Sequence, residues 1–292
     1  MNRLPRTLLI ILGFACGLAA LIPPCRTARS DERATIESAQ VDARGVRSHV
    51  VHSPFQMHAT RIDVILPAKL DPQRTYRAVY VLPVEAQGES RFGDAVRELV
   101  ARDVGARREA IFVVPTFAEL PWYADHPQRA DAQQEKHLLQ VVLPFVEQTY
   151  PVKKEAAARL LLGYSKSGWG AWSLLLRHPA VFGRAAAWDA PLMMDAPGKY
   201  GSGPLFGTLE NFQRYQISRL VQLRAAELRK SSTPPRLILT GYDNFRGEHQ
   251  QMHKLLDSLQ APHVYRDGPP RKHDWHSGWV DESLDLLLDD SP

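Results

Sequence analysis

The sequence is poor in cysteine. Of its 292 residues only Cys16 and Cys25 are cysteines, and both lie within the first 30 positions. The chain beyond them therefore cannot form a disulfide framework, use a cysteine nucleophile or bind zinc through thiolates. Its fold must depend on a conventional hydrophobic core, for which a hydrophobic content of 44% is ordinary.

The chain also lacks an excess of charge of one sign once its N-terminus is set aside. It contains 36 Lys and Arg against 32 Asp and Glu, but residues 1–30 hold four arginines and no acidic residue. The rest of the chain is therefore formally neutral, with 32 basic and 32 acidic residues. Because phosphate binding needs a basic surface, this balance argues against a nucleic-acid partner.

A hydrophobic run long enough for a membrane span is missing as well. Arg3 and Arg6 precede a mostly apolar stretch over residues 8–22, whereas a span needs about 20 apolar residues. A basic flank before a short apolar segment is typical of a secretory signal peptide. We therefore expect residues 1–30 to be a signal peptide and the protein to be exported, either periplasmic or secreted. An N-terminal membrane anchor is the alternative, because no A-x-A cleavage site follows the run.

Beyond this leader, short apolar runs alternate with longer segments of helical periodicity. Residues 47–53 and 60–66 are predicted as an antiparallel pair of strands, because residues 61–66 partly alternate between polar and apolar. The later runs lack this alternation, as strands covered on both faces do. These runs lie at residues 78–82, 111–114, 160–162, 185–188 and 237–239. The predicted helices cover residues 92–106, 132–149, 168–177, 209–228, 248–259 and 281–288.

This alternation predicts an α/β protein with a mostly parallel central sheet and helices on both faces. No repeat or long linker interrupts it, so we expect one domain over residues 46–290, preceded by a poorly ordered linker over residues 31–45. Residues 191–204 are rich in glycine and proline and are predicted to form a surface loop near one end of the sheet.

Residues 158–172 carry the most informative motif, a buried-type strand that runs through small residues into a helix. This is the pattern of a nucleophile elbow, in which a serine occupies a strained turn and small residues flank it at two positions' distance. Gly163 and Ser167 hold those positions around Ser165. Ser167 departs from the usual G-x-S-x-G, and Gly168 follows it. The alternative is a plain strand-to-helix turn in which Ser165 or Ser167 is the helix N-cap.

The partners of such a serine follow it in the order acid, then histidine. Asp243 comes directly after the predicted strand at residues 237–239, where an acid can orient an imidazole, although an Asx turn would also suit it. Asp189, after the strand at residues 185–188, is the alternative acid. His273 and His276 compete for the base, and we favour His273 because it lies in a loop ahead of the last helix.

The same mechanism needs an oxyanion hole, formed by backbone N–H groups. One is expected from Lys166, directly after the serine, and the other from the loop after the first central strand. Pro83 has no N–H group, so Val84 is the better donor in that loop. No metal or organic cofactor is required.

Four segments together resemble the "putative esterase" group of α/β-hydrolases, which includes S-formylglutathione hydrolase and the feruloyl and acetyl-xylan esterases. These segments are the strand and loop at residues 79–85, the P-x-V-E-x-x-Y pattern within residues 143–151, the elbow, and the loop at residues 273–279. The resemblance implies the α/β-hydrolase fold, and a serine esterase with Ser165, Asp243 and His273 as nucleophile, acid and base. Two departures are Ser167 and residues 82–84, where many members have His-Gly.

Two further groups of residues could have functional roles. Trp122 and Tyr123 could stack on a sugar or aryl group with Asp125 hydrogen-bonding beside them, because this segment follows the strand at residues 111–114; a packed surface loop is the alternative. His249 and His253 lie one helical turn apart, a spacing that can hold zinc, but a solvated helix surface is favoured because no third ligand is evident.

The substrate is therefore expected to be a small-molecule or carbohydrate ester, and the oligomeric state is left open. Contact with a membrane is expected only if the leader is uncleaved. A peptidase of the prolyl-oligopeptidase kind would share the triad but normally carries a large extra domain. A non-catalytic hydrolase-like protein of the cell envelope, binding a ligand or partner, is the alternative from another functional class.

Overall fold

The computed structural model describes residues 33–87, 89–230 and 234–289. The predicted signal peptide at residues 1–30 lies outside these residues. Within the described part of the chain, no helix is both long and apolar enough to cross a membrane.

Strands and helices alternate along the described chain, as the sequence pattern predicts. The strands are β1 (Thr35–Ile36), β2 (Gln40–Val41), β3 (Arg47–His52), β4 (Thr60–Ile65), β5 (Arg77–Val81), β6 (Glu89–Ser90), β7 (Gly93–Asp94), β8 (Ala110–Pro115), β9 (Arg159–Tyr164), β10 (Arg184–Trp188), β11 (Leu237–Tyr242) and β12 (His263–Pro270). The α-helices are α1 (Ala95–Ala101), α2 (Val104–Arg107), α3 (Gln134–His137), α4 (Leu143–Thr149), α5 (Ser165–Arg177), α6 (Gly203–Phe206), α7 (Leu209–Gln213), α8 (Ile217–Arg229), α9 (Arg246–Ser258) and α10 (Trp279–Leu288). A π-helical segment, Leu138–Val142, joins α3 to α4.

Ten strands form one sheet in the order β1-β3-β4-β8-β5-β9-β10-β11-β12, with β2 pairing beside β3. Six neighbouring strands in this order, β8, β5, β9, β10, β11 and β12, are parallel to one another. The strands β1, β3, β4 and β8 pair antiparallel. The mostly parallel sheet and its antiparallel first strands are thus confirmed.

The central strands are buried on both faces because their apolar runs are continuous rather than alternating. In β9, Leu161 packs into the hydrophobic cluster with α4, α5, α8 and α9, while Leu160 and Leu162 face the other cluster with α1 and α10. Helices therefore cover both faces of the sheet, as expected, and the parallel strands end together at one edge.

Two predicted helices are divided in the structure, and one strand was not predicted. The helix expected over residues 92–106 is divided into α1 and α2, because Asp103 between them has a left-handed φ of 52°. The helix expected over residues 209–228 is likewise divided into α7 and α8. Strand β12 was not predicted, since its polar residues and Pro269 and Pro270 resemble a turn.

The N-terminal linker is also corrected where it is described. Residues Thr35–Ile36 and Gln40–Val41 both pair with β3, so from residue 33 onward this segment belongs to the sheet rather than to a poorly ordered linker. The pairing adds two short strands before the domain start expected at residue 46.

Gly241 in β11 provides a test of how closely this core is packed. Its φ is +63°, and an added Cβ would lie 2.2 Å from Cε2 of the fully buried Trp279. We expect Gly241→Ala to lower the free energy of unfolding by about 2–5 kcal/mol, from backbone strain and overpacking together. Chemical denaturation of the purified variant measures this loss.

Gly247→Ala is the matched control, because Gly247 lies in α9 and has no atom within 4 Å of an added Cβ. Alanine favours helix over glycine, so this variant should be unchanged or more stable by up to about 1 kcal/mol. Equal losses in both variants would contradict the packing argument.

Candidate active site

The candidate site lies where the parallel strands end. Ser165 follows β9, Asp189 follows β10, Asp243 follows β11 and His273 lies three residues beyond β12. Because carboxyl ends of parallel strands share one edge of the sheet, these side chains meet there although they are far apart in sequence.

Ser165 occupies a strained turn between β9 and α5. Its φ is 51°, a left-handed value that non-glycine residues rarely adopt, and it is the first residue of α5. The turn brings the helix against the strand so closely that a Cβ on Gly163 would lie 2.4 Å from the carbonyl carbon of Ser167. Glycine is therefore required at position 163, as the elbow interpretation predicts.

Ser167 fits this turn despite replacing the usual glycine. It is fully buried, and its Oγ donates to the carbonyl of Tyr164 at 2.9 Å and accepts from the N–H of Tyr164 at 3.0 Å. The close approach falls instead on Gly168, whose added Cβ would lie 2.9 Å from Ala190 and 3.0 Å from Ala187. The glycine one position later thus allows α5 to pack against β10.

A continuous hydrogen-bond chain joins three of the candidate residues. His273 Nε2 lies 3.0 Å from Ser165 Oγ, and His273 Nδ1 lies 2.6 Å from Asp189 Oδ2. Since a carboxylate only accepts, Nδ1 carries the hydrogen and Nε2 of the neutral ring presents its lone pair to the serine hydroxyl. This is the geometry of an activated serine nucleophile.

The prediction that Asp243 lies against the imidazole is wrong. Its Oδ2 accepts the backbone N–H of His273 at 3.1 Å, so Asp243 holds the backbone of the histidine loop rather than the ring. The acid that contacts the ring is Asp189, which the sequence offered as the alternative. Both aspartates follow a parallel strand, and the chain order of the motif does not separate them.

The surroundings of Asp189 keep its carboxyl group ionised. It is 2% exposed, and its carboxylate accepts the N–H groups of Phe245 at 2.7 Å and Asn244 at 3.1 Å as well as the imidazole. Burial alone would raise its pKa, but the hydrogen bonds from His273 and the backbone outweigh it, and the pKa of Asp189 is lowered. A negative charge therefore faces His273 at neutral pH.

His276 does not compete for this position. Its Nδ1 pairs with Oε2 of Glu98 at 2.5 Å, and Glu98 is buried in α1 and also binds Arg102. His276 thus ties the histidine loop to α1. This interaction favours His273 as the histidine that serves the serine, in agreement with the sequence expectation.

Aromatic rings surround His273. Phe92, Tyr164 and Phe245 have ring centroids 5.4, 5.2 and 5.7 Å from the imidazole. Tyr200 packs edge-on against Phe245 at 5.4 Å, and it is 49% exposed with a left-handed φ of 54°. These residues give the site an apolar wall that opens to solvent at Tyr200, and the sequence pattern did not identify them.

The expected oxyanion-hole residues lie on two segments that an ion pair connects. Lys166 Nζ lies 2.8 Å from Glu85 Oε1, and the lysine side chain is only 9% exposed. Lys166 is the second residue of α5, where backbone N–H groups have no partner within the helix. Val84, directly before Glu85, is buried at 1% exposure.

The prediction that Trp122 and Tyr123 stack on a substrate is wrong, because their exposures are 0% and 1%. Trp122 packs edge-on against Trp169, while the Tyr123 hydroxyl donates to the carbonyl of Pro83 at 2.5 Å. The carboxylate of Asp125 accepts the N–H of Lys136 at 3.2 Å and is thereby engaged with the first turn of α3. Trp122 and Tyr123 therefore belong to the core, and Asp125 is bonded to the backbone of α3.

His249 lies beneath the candidate acid. It is 1% exposed, so the expected solvated surface is wrong at this residue, and its Nε2 accepts the N–H of Ala190 at 2.9 Å. Burial lowers the pKa of His249 to about 4, which keeps the ring neutral and able to accept. The helical periodicity of Met252 and Leu256, three and seven positions later, was the available signal for its burial.

Comparison with known proteins connects the chain to an esterase family. A sequence model of the family described as "Putative esterase" matches residues 56–233. No curated protein sequence matches the chain.

Solved structures resemble most of the chain. An S-formylglutathione hydrolase from Staphylococcus aureus is 18% identical with a TM-score of 0.66, over 84% of this chain and 98% of that one. FphF, a fluorophosphonate-binding serine hydrolase of the same organism, is 17% identical with a TM-score of 0.67, over 89% and 100% of the two chains. A ferulic acid esterase is 19% identical with a TM-score of 0.62, over 88% and 98%. The shared architecture is the α/β-hydrolase fold.

The role of Ser167 in the turn can be tested by removing its hydroxyl. Ser167→Ala leaves the N–H of Tyr164 without the acceptor that Oγ supplies, in a fully buried position. We expect the free energy of unfolding to fall by about 1–3 kcal/mol, the cost of an unsatisfied buried polar group. Urea denaturation followed by tryptophan fluorescence measures it.

Ser258→Ala is the control, because Ser258 is exposed and its hydroxyl only donates to the carbonyl of Leu255. Its stability should stay within about 0.5 kcal/mol of the parent. A Ser167→Ala variant as stable as this control would mean that the hydroxyl does not support the elbow.

Proposed function

We propose, from the premise that the chain belongs to the "Putative esterase" family and is a carboxylic ester hydrolase, that it cleaves esters through an acyl-enzyme on Ser165. The observation that carries this proposal is the hydrogen-bond chain from Ser165 through His273 to Asp189, with distances of 3.0 and 2.6 Å. Nucleophile, base and orienting acid are thus within direct reach of one another.

In the proposed first half-reaction, Ser165 Oγ attacks the carbonyl carbon of the ester while His273 Nε2 takes its proton. The imidazolium then gives that proton to the departing alcohol, and the acyl group remains on Ser165. In the second half-reaction a water molecule attacks the acyl carbon, with His273 again removing the proton. The bond between the acyl carbon and Ser165 Oγ then breaks as His273 gives the proton to Oγ, which restores the Ser165 hydroxyl and releases the carboxylic acid.

Asp189 is proposed to stabilise the imidazolium that forms in both steps. Its low pKa keeps it anionic, and its hydrogen bond to Nδ1 fixes the tautomer in which Nε2 can accept the serine proton. Asp243 is proposed as a positioning residue that holds the histidine loop through the backbone N–H of His273.

The backbone N–H groups of Lys166 and Val84 are proposed to bind the oxyanion of the tetrahedral intermediate. Lys166 directly follows the nucleophile, at the free N–H end of α5. The Lys166–Glu85 ion pair supports this assignment because it fixes the loop containing Val84 beside the elbow.

For the substrate, we propose an ester with an aryl or similarly flat apolar group, including acylated carbohydrates that carry such groups. The support is the aromatic wall of Phe92, Phe245 and Tyr200 beside His273. The similar structure named as a ferulic acid esterase acts, by its name, on an ester of an aryl acid.

We also propose that the protein is exported, on the strength of the basic and apolar pattern in residues 1–30. The intact mass of the protein recovered from the periplasm or medium of its host tests this. A full-length mass in the cytoplasm would contradict export.

Hydrolysis of p-nitrophenyl acetate and methyl ferulate tests the triad. We expect Ser165→Ala to lower kcat by about 10⁶-fold, because it removes the nucleophile, and Asp189→Asn to lower it by about 10⁴-fold, because it allows the wrong imidazole tautomer. Asp243→Asn can still accept the N–H of His273 through its amide oxygen, so it should lose less than about tenfold. The reverse ranking of the two aspartates would assign the acid to Asp243.

Covalent labelling with a fluorophosphonate distinguishes an enzyme from a non-catalytic hydrolase-like binding protein. We expect stoichiometric labelling of the folded parent protein and none of Ser165→Ala, read by intact mass. Circular dichroism of both proteins controls for folding. A folded parent that neither labels nor hydrolyses either ester would favour the binding protein.

A further inference from the structure

A second cluster of chemistry-bearing side chains lies away from the triad. His253 and Asp257 are one turn apart near the end of α9, and His263 begins β12. One ligand atom from each of the three residues can be chosen so that all lie within 4.8 Å of one another. His263 pairs with Leu237 at the start of β11, whereas Pro270, three residues before His273, pairs with Tyr242 at its end. The cluster and the histidine loop of the triad therefore lie at opposite ends of these strands, roughly 16 Å apart along β11.

The orientation of His263 suits a metal ligand. Its Nδ1 lies 2.9 Å from the carbonyl oxygen of Ala261, and a carbonyl can only accept, so Nδ1 carries the hydrogen. Nε2 of the neutral ring then presents its lone pair to the cluster. A backbone carbonyl that fixes the second nitrogen in this way is the usual support of a metal-binding histidine.

The other two residues face the same point. His253 Nδ1 lies 2.7 Å from His263 Nε2, and His253 Nε2 lies 3.4 Å from Asp257 Oδ2. The Asp257 carboxylate is also 3.9 Å from His263 Nε2. The His253 ring is held by stacking on Tyr265, with centroids 4.3 Å apart. With His253 Nδ1, His263 Nε2 and Asp257 Oδ1 as the ligand atoms, the separations of 2.7 and 3.9 Å lie on either side of the spacing of about 3.3 Å that a tetrahedral zinc ion bonded at about 2.0–2.1 Å requires.

Exposure is graded across the cluster. The side chains of His263, His253 and Asp257 are 6%, 34% and 60% exposed, so the buried histidine anchors the site and the carboxylate side is open to solvent. An ion can enter from that side, and water can supply the remaining ligand. Two imidazoles and one carboxylate are a donor set that suits zinc.

We propose that His263, His253 and Asp257 bind a divalent transition metal ion, with zinc as the best fit, independently of the ester-hydrolysing site. His253 coordinates through one ring nitrogen, and the ion takes the place of the hydrogen bond that joins the two histidines. Because β12 is the edge strand of the sheet and α9 packs on it, the ion links the edge strand to its helix. Its role at this distance from the triad is structural.

Protein without a polyhistidine tag, stripped with a chelator, tests this by isothermal titration with ZnCl2. We expect one zinc ion per chain in the parent, with affinity lowered at least about tenfold in both His263→Ala and His253→Ala, since even the loss of a group that only supports a ligand costs this much. Asp257→Asn should also weaken binding. CoCl2 should give the visible absorption of a tetrahedral site in the parent but not in His263→Ala or His253→Ala.

Two control variants separate this cluster from other histidines. His58→Ala removes an exposed loop histidine, and His273→Ala removes the proposed catalytic base; both should keep the parent affinity. Zinc should raise the unfolding temperature of the parent and the controls but not of His263→Ala, because binding to the folded state alone stabilises it. Absence of binding, or binding that survives in both cluster-histidine variants, would overturn the proposal and leave only a hydrogen-bonded histidine pair.

Discussion

The turn at Ser165 is the constraint on which the rest of the candidate site depends. A left-handed serine can stand between β9 and α5 only if the helix begins almost in contact with the strand, and Gly163 and Gly168 permit that contact. Nearly the whole of α5 is buried between the sheet and its neighbouring helices, and this burial stabilises the strained backbone at Ser165. The same packing brings α5 against Ala187 and Ala190 on either side of Asp189. The position of the acid relative to the nucleophile therefore follows from the elbow.

The fold and the strained serine turn, which carries the proposed nucleophile, could be predicted from sequence because each has a local signature. Continuous apolar runs mark strands buried on both faces, and a small-residue turn between strand and helix marks the elbow. The acid has no such signature. Asp189 and Asp243 each follow a parallel strand ahead of His273, and only the three-dimensional course of the two loops decides which carboxylate meets Nδ1 and which meets the backbone N–H.

The burial of aromatic residues was harder to predict than the fold. Trp122 and Tyr123 occupy a loop, where exposure is the default expectation. Gly170 in α5 allows the Tyr123 ring to be buried instead. Its lack of a side chain leaves room for the ring, which would lie 2.0 Å from an added Cβ. The rings that line the site, Phe92, Phe245 and Tyr200, come from three separate loops and share no sequence pattern.

Tyr123 nevertheless contacts, from inside the protein, the loop that carries the proposed oxyanion donor Val84. Its hydroxyl holds the carbonyl of Pro83, and Lys166 holds the carboxylate of Glu85, so Val84 lies between two anchored neighbours. An oxyanion donor lowers the barrier most when it is fixed before the reaction and needs no reorganisation. The loop lacks the His-Gly sequence that many related proteins have at this point, and side chains from α5 and from the loop after β8 hold it from both sides instead. If Val84 is the oxyanion donor that we propose, its placement depends on the surrounding core rather than on the loop's own sequence.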